Sequence, residues 1–208
     1  MFVPSITKDQ LRELPLFQFK GQTHVIDSSD SLRAIIHKLS NQEVLGFDTE
    51  TKPSFKKGKV HQVALLQLSA ANEAFIFRLH PLGLPDELIE ILTNPNILKV
   101  GAAIRDDIKL LQKVRHFHAD GFLELQDYVK KFGIENSGLS SLAGIIMNCR
   151  ISKSQQLSNW ESEILTEAQM LYAATDAWAC REIYLKLKGL LNGAESFVVV
   201  KTEEESQK

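Results

Sequence analysis

The order of short apolar runs constrains this chain more than any other feature. Val44 to Glu50, Val60 to Leu68 and Ala74 to Leu79 read as strands. A lysine-rich loop, Lys52 to Lys59, joins the first two, and the tight turn Ala71-Asn72-Glu73 joins the second and third. After Leu79 the pattern becomes alternating: a helix over Asp86 to Leu92, a strand over Ile97 to Val100, and a helix over Ile104 to Val114. A short strand near Phe122 to Leu125 follows, then helical stretches across Gln126 to Phe132 and Leu139 to Met147. A meander that gives way to alternation needs a mixed sheet with helices on both faces. Ahead of it, a short strand around Thr23 to Ile26 leads through the N-cap oxygens of Asp27-Ser28-Ser29 into a helix. That helix carries Leu32, Ile35, Ile36 and Leu39 on one face.

The last helix has the clearest signals. Thr166 is its N-cap, Gln169 completes a capping box, and Leu165 and Met170 stand in the hydrophobic-staple positions. Apolar residues from Met170 through Ala173, Ala174, Ala177 and Trp178 to Leu185 and Leu187 keep a helical rhythm as far as Gly189. The organisation expected is an N-terminal extension packed on the domain (1–22), the domain itself (23–193) and a polar C-terminal tail (194–208).

A chain of 208 residues, 44% hydrophobic and 24% charged, can bury one ordinary core. Its net charge of -2 does not advertise a polyanion binder, although a bound divalent metal can supply a positive field at an acidic site. Cys149 and Cys180 form no CxxC and no metal-ligand spacing, which argues against structural zinc or a disulfide framework and for a reducing cytosol. With no signal peptide and no apolar stretch of membrane-spanning length in view, a cytoplasmic protein with no membrane partner is expected.

Four groups of residues carry possible chemistry. Asp48 and Glu50 lie two apart on a strand and so share a face; they are either paired acids that need a cation or solvated acids where a strand runs into a loop. Tyr172 and Asp176 lie four apart on the last helix, with small residues around them that leave room for approach. A tyrosine at the core margin beside a surface aspartate fits that spacing equally. Asp106 and Asp107 open a helix, where acids favour the dipole whatever their role. In the Lys52–Lys59 loop, Lys56, Lys57 and Lys59 with Phe55 suit a phosphate-tracking, base-stacking edge, and suit a solvated hairpin as well. Trp160 reads as core and His61 as an ordinary strand residue with no second histidine at ligand spacing. Contacts of Arg150 and Lys153 to phosphates cannot be told from solvation.

Taken in order, several segments resemble the DEDD group of 3′→5′ exonucleases, tyrosine subclass, in the exonuclease domain shared by ribonuclease D and the Werner-syndrome helicase. They are Phe47-Asp48-Thr49-Glu50, Gly58-Lys59 before Val63 to Leu68, Lys99-Val100-Gly101, Ser158-Asn159-Trp160, and Leu165-Thr166 leading to Leu171 through Ala177. The resemblance runs from about Val44 to Leu187. It implies an α/β, ribonuclease H-like fold with a mixed five-stranded sheet and helices on both faces. By resemblance, Asp48, Glu50 and Asp176 bind one divalent cation, Mg2+ or Mn2+ (all-carboxylate ligation suits both). Asp48 bridges to a second cation that Asp107 helps to hold, and Tyr172 orients the attacking water. Two metals about 3.5–4 Å apart can serve the attacking and leaving oxygens of a phosphodiester. Asp106 remains an alternative to Asp107 if the helix starts one residue earlier or later. The implied activity is release of nucleoside 5′-monophosphates from the free 3′ end of DNA or RNA. A catalytically inactive nucleic-acid-binding domain of the same fold and an internally cleaving nuclease are the competing readings.

Overall fold

The computed structural model describes residues 2–54 and 61–203, with side chains as far as Leu191. The chain opens with α1 (Lys8–Glu13), β1 (Leu16–Phe17), β2 (Gln22–Ile26) and α2 (Ser29–Ser40). The meander is β3 (Val44–Thr51), β4 (Val63–Ser69) and β5 (Glu73–Arg78). Then come α3 (Leu79–Leu82), α4 (Asp86–Thr93), β6 (Leu98–Gly101), α5 (Ile104–Val114) and β7 (Phe122–Glu124). The chain continues through α6 (Leu125–Tyr128), α7 (Leu139–Leu142) and β8 (Arg150–Ile151) to α8 (Glu167–Glu203).

The main sheet is mixed, in the order β2-β5-β4-β3-β6-β7. It has six strands where five were expected. The added strand is at the β5 edge, where β2 pairs in parallel from Gln22 opposite Glu73 to Ile26 opposite Phe77. That pairing satisfies backbone groups that β5 would otherwise leave open. β1 and β8 form a separate two-stranded parallel pair.

Helices cover both faces. Leu45 and Phe47 of β3 point one way, into a core with Leu32 and Leu39 of α2, Leu88 of α4 and Leu111 of α5. Val44 points the other way, among Cys180, Ile183 and Leu187 of α8. β4 is buried along its whole length, as a strand covered on both faces must be. Trp160, 1% exposed, packs in a core with Leu65, Ile76 and Ala173, in agreement with its expected core role.

Two boundaries differ from expectation. α8 does not stop at Gly189 but runs through the segment read as a polar tail to Glu203, because each of its two glycines, Gly189 and Gly193, costs only about 1 kcal/mol. His61 precedes β4 rather than lying in it, since β4 begins at Val63. Among the described residues no helix is long and apolar enough to cross a membrane.

Candidate active site

Asp48 and Glu50 lie near the end of β3, on the face that also carries Gly46 and Val44 and meets α8. Gly46 lets that meeting be close: a Cβ there would stand 1.8 Å from the Ala177 carbonyl oxygen. Arg181 reinforces the contact, its Nε donating to the Val44 carbonyl at 3.1 Å. Asp176, the residue before Ala177, is thereby carried to the acids of β3. One oxygen from each of Asp48, Glu50 and Asp176 lies within 4.8 Å of the other two.

This cluster is electrostatically uncomfortable. Burial, followed by the charges of Asp176, Glu50 and Asp107, holds the Asp48 carboxyl well above the usual range. Burial, then Asp176 and Asp107, pushes Glu50 up to about 9. Asp176 is raised by burial too, with the Tyr172 hydroxyl and the Lys153 ammonium pulling the other way. Its Oδ1 is buried with no hydrogen-bond partner. Three acids held together, one of them with a buried oxygen that has no hydrogen-bond partner, fit a divalent cation with hard oxygen ligands.

Tyr172 lies one turn before Asp176, its ring 5.8 Å from that of Trp160. Burial and the neighbouring carboxylates push its hydroxyl far above the ordinary phenol range, so it keeps its proton. Asp107 reaches the site from the opposite face of the sheet, on α5. Its Oδ1 accepts a 2.6 Å hydrogen bond from the Thr49 hydroxyl, and burial raises its pKa. Asp106 turns outward and pairs with Lys109 at 2.8 Å, so the geometry favours Asp107 over its neighbour. Lys56, Lys57 and Lys59 lie outside the described residues.

Several residues that support the site were not singled out from sequence. Glu124, at the end of β7, accepts from the backbone N–H groups of Ala103 (2.9 Å) and Ile104 (2.8 Å). It thereby satisfies the start of α5, which has no side-chain cap of its own and follows a left-handed Ala103, φ 66°. Gln67 stands directly across from Asp48 on β4, buried, with neither end of its amide partnered. Its only signal in sequence is being a polar residue inside an otherwise apolar run. Glu161 gathers Lys52 at 3.0 Å and His61 at 3.3 Å, with His80 of α3 at 4.0 Å, so His61 and His80 share one carboxylate partner.

The family model described as 3′-5′ exonuclease matches residues 23–192. The chain belongs to the 3′-5′ exonuclease domain family. The mouse bifunctional 3′-5′ exonuclease/ATP-dependent helicase WRN is 33% identical over 201 residues, covering 92% of this chain and 14% of that protein. Mouse exonuclease 3′-5′ domain-containing protein 2 is 36% identical over 181 residues, covering 81% of this chain and 27% of that one. The chain thus spans well under two thirds of the length of these relatives. Among solved structures, the Nibbler EXO domain of Aedes aegypti superposes with a TM-score of 0.74 at 27% identity, over 83% of this chain and 90% of that one. Escherichia coli RNase D superposes with a TM-score of 0.71 at 20% identity, over 90% of this chain and 51% of that one, a likeness of fold. The architecture is ribonuclease H-like, with six strands in the sheet.

Proposed function

We propose that this chain hydrolyses phosphodiester bonds from the 3′ end of a DNA or RNA strand and releases nucleoside 5′-monophosphates. One observation carries the reading: three acids from β3 and α8 converge, with a buried, unpartnered Asp176 oxygen beside Tyr172. Asp48, Glu50 and Asp176 would hold one divalent cation, Mg2+ or Mn2+, and Asp48 with Asp107 a second. Such cations supply charge stabilisation to the attacking and leaving oxygens. Tyr172 donates a hydrogen bond that orients the water. Thr49 fixes the Asp107 carboxylate through its hydroxyl. Trp160 packs against the tyrosine ring, whose hydroxyl hydrogen-bonds the Asp176 carboxylate.

The test is digestion of end-labelled DNA and RNA strands with free and blocked 3′ ends, with and without chelator. A ladder of single-nucleotide steps from free ends, lost in chelator and restored by magnesium or manganese, is expected. Internal fragments, or binding without cleavage, would refute this reading.

The lysine loop belongs to the same proposal, with Lys56, Lys57 and Lys59 contacting the strand's backbone. Neutralising all three should weaken binding and flatten its dependence on salt. An unchanged slope would leave them as solvated side chains.

A further inference from the structure

Arg150 and Lys153, whose role the sequence left open, lie in a groove that the acidic cluster does not explain. Lys8, Leu11 and Arg12 fall at i, i+3 and i+4 on α1 and share one face. That face, with Arg150, Ile151 and Lys153, lines an open groove of about 340 Å³. Four of the side chains lining it are cationic and none is acidic. The groove leads to the candidate active site, because Ile151 and Lys153 also line the cleft that holds Tyr172 and Asp176. Lys153 is near enough to Asp176 to lower its pKa.

The groove's outer wall is anchored. β1 pairs with β8, setting Leu16 opposite Arg150 and Phe17 opposite Ile151. Arg150 donates from its backbone to the Pro15 carbonyl at 3.0 Å and from Nε to the Leu14 carbonyl at 3.1 Å. Ile6 and Leu11 press onto Gly144, where a Cβ would meet Leu11 at 2.6 Å. Asp9 pairs with Arg12 at 3.0 Å, but both side chains are mostly exposed, and such a pair is worth under about 1 kcal/mol. Arg12 can therefore exchange that partner for a phosphate at little cost.

We propose that α1, together with Arg150 and Lys153, forms a phosphate-binding wall that grips the backbone of the substrate strand upstream of its 3′ end. The proposal rests on the exonuclease reading and adds, in α1, a contact surface outside residues 23–192, the part that matches the family. The electrostatic need is plain. A chain of net charge -2 with four acids at its site repels a polyanion unless cations lie along the path to that site. Since the wall reads phosphates, it holds DNA and RNA alike.

The test is equilibrium binding of fluorescent single strands of about twelve nucleotides, DNA and RNA, in chelator, as salt is varied. In Lys8→Gln/Arg12→Gln the slope of log affinity against log salt is expected to be shallower by about 1.4, two contacts at about 0.7 each, with affinity at low salt down roughly tenfold. Lys8→Arg/Arg12→Lys keeps both charges and is expected to keep the wild-type slope. A wild-type slope in the neutralised variant, or equal losses in both variants, overturns the wall. In a parallel digest with magnesium, wild-type protein that degrades strands while the neutralised variant keeps its binding slope in chelator overturns the wall alone. Wild-type protein that binds neither strand in chelator overturns the wall, and wild-type protein that also degrades neither strand when magnesium is supplied overturns the exonuclease reading with it.

Discussion

Asp176→Asn is expected to abolish turnover and metal binding while leaving the metal-free protein at least as stable as the wild type. The two halves of that expectation have one cause. In the folded chain Asp48, Glu50 and Asp176 all hold their protons more tightly than free carboxyls do, because burial and mutual repulsion disfavour their charges. With raised pKa values the folded state binds more protons than the unfolded one. Stability of the metal-free protein therefore falls as pH rises from the ordinary carboxylate range towards the value of about 9 reached by Glu50. Removing one charge relieves that loss and removes a ligand at the same time. Tyr172→Phe separates the roles, since it deletes a hydroxyl and no ligand. Metal affinity should survive, while the chemical step slows by about 10²–10⁴-fold, the usual cost of losing a positioned proton-handling group. Calorimetric metal titration, single-turnover kinetics and melting curves in chelator between about pH 4 and 9 decide the matter. A Tyr172→Phe enzyme at the wild-type rate would make the tyrosine a packing residue. Stability that climbs with pH across that window would contradict the account of the acids.

Gly46→Ala should damage the protein more than any other single methyl group added to the sheet. The added carbon would meet a backbone carbonyl, that of Ala177, at 1.8 Å, and no flexible side chain is there to move aside. Overpacking of this kind costs typically 1–3 kcal/mol, and an unyielding backbone places Gly46 at about 3. Any relief must lift α8 from β3, which separates Asp176 from Asp48 and Glu50. Metal affinity is thus expected to fall in whatever fraction still folds. Gly189→Ala in α8 is the contrasting case: nothing lies within 4 Å, so it should stabilise by up to about 1 kcal/mol. Urea denaturation of both variants, with metal titration of the folded protein, tests the pair. Wild-type stability and affinity in Gly46→Ala would show that the helix has slack.

Local patterns were legible because their causes are local. The capping box of α8 is present as read, with Thr166 N–H donating to Gln169 at 3.0 Å and Gln169 N–H to Thr166 at 3.2 Å. The two-residue spacing of Asp48 and Glu50 and the four-residue spacing of Tyr172 and Asp176 put each pair on one face. What escaped depends on partners far along the chain. The sixth strand exists because β2 finds the edge of β5, and nothing in Thr23 to Ile26 encodes that neighbour. Asp107 is the acid the resemblance favours over Asp106, and what the sequence leaves out is the start of α5, held by Glu124 of β7, with Asp107 bonded to Thr49 and Asp106 paired outward with Lys109. His61 looked solitary because its neighbours, Glu161 and His80, come from elsewhere in the chain. Gly46 gave no warning either, since the carbonyl that forbids a side chain there belongs to the last helix.

The position of α8 at the end of the element order also bears on synthesis. Asp48 and Glu50 leave the ribosome ahead of α8, and β3, β4 and β5 can pair while that helix is still being made. Asp176 comes much later, on a helix that seats itself only once its following turns can dock Cys180 and Ile183 on the sheet. A growing chain therefore carries its acids apart, as ordinary solvated carboxylates. The acidic cluster is completed in one step, when α8 docks on the sheet.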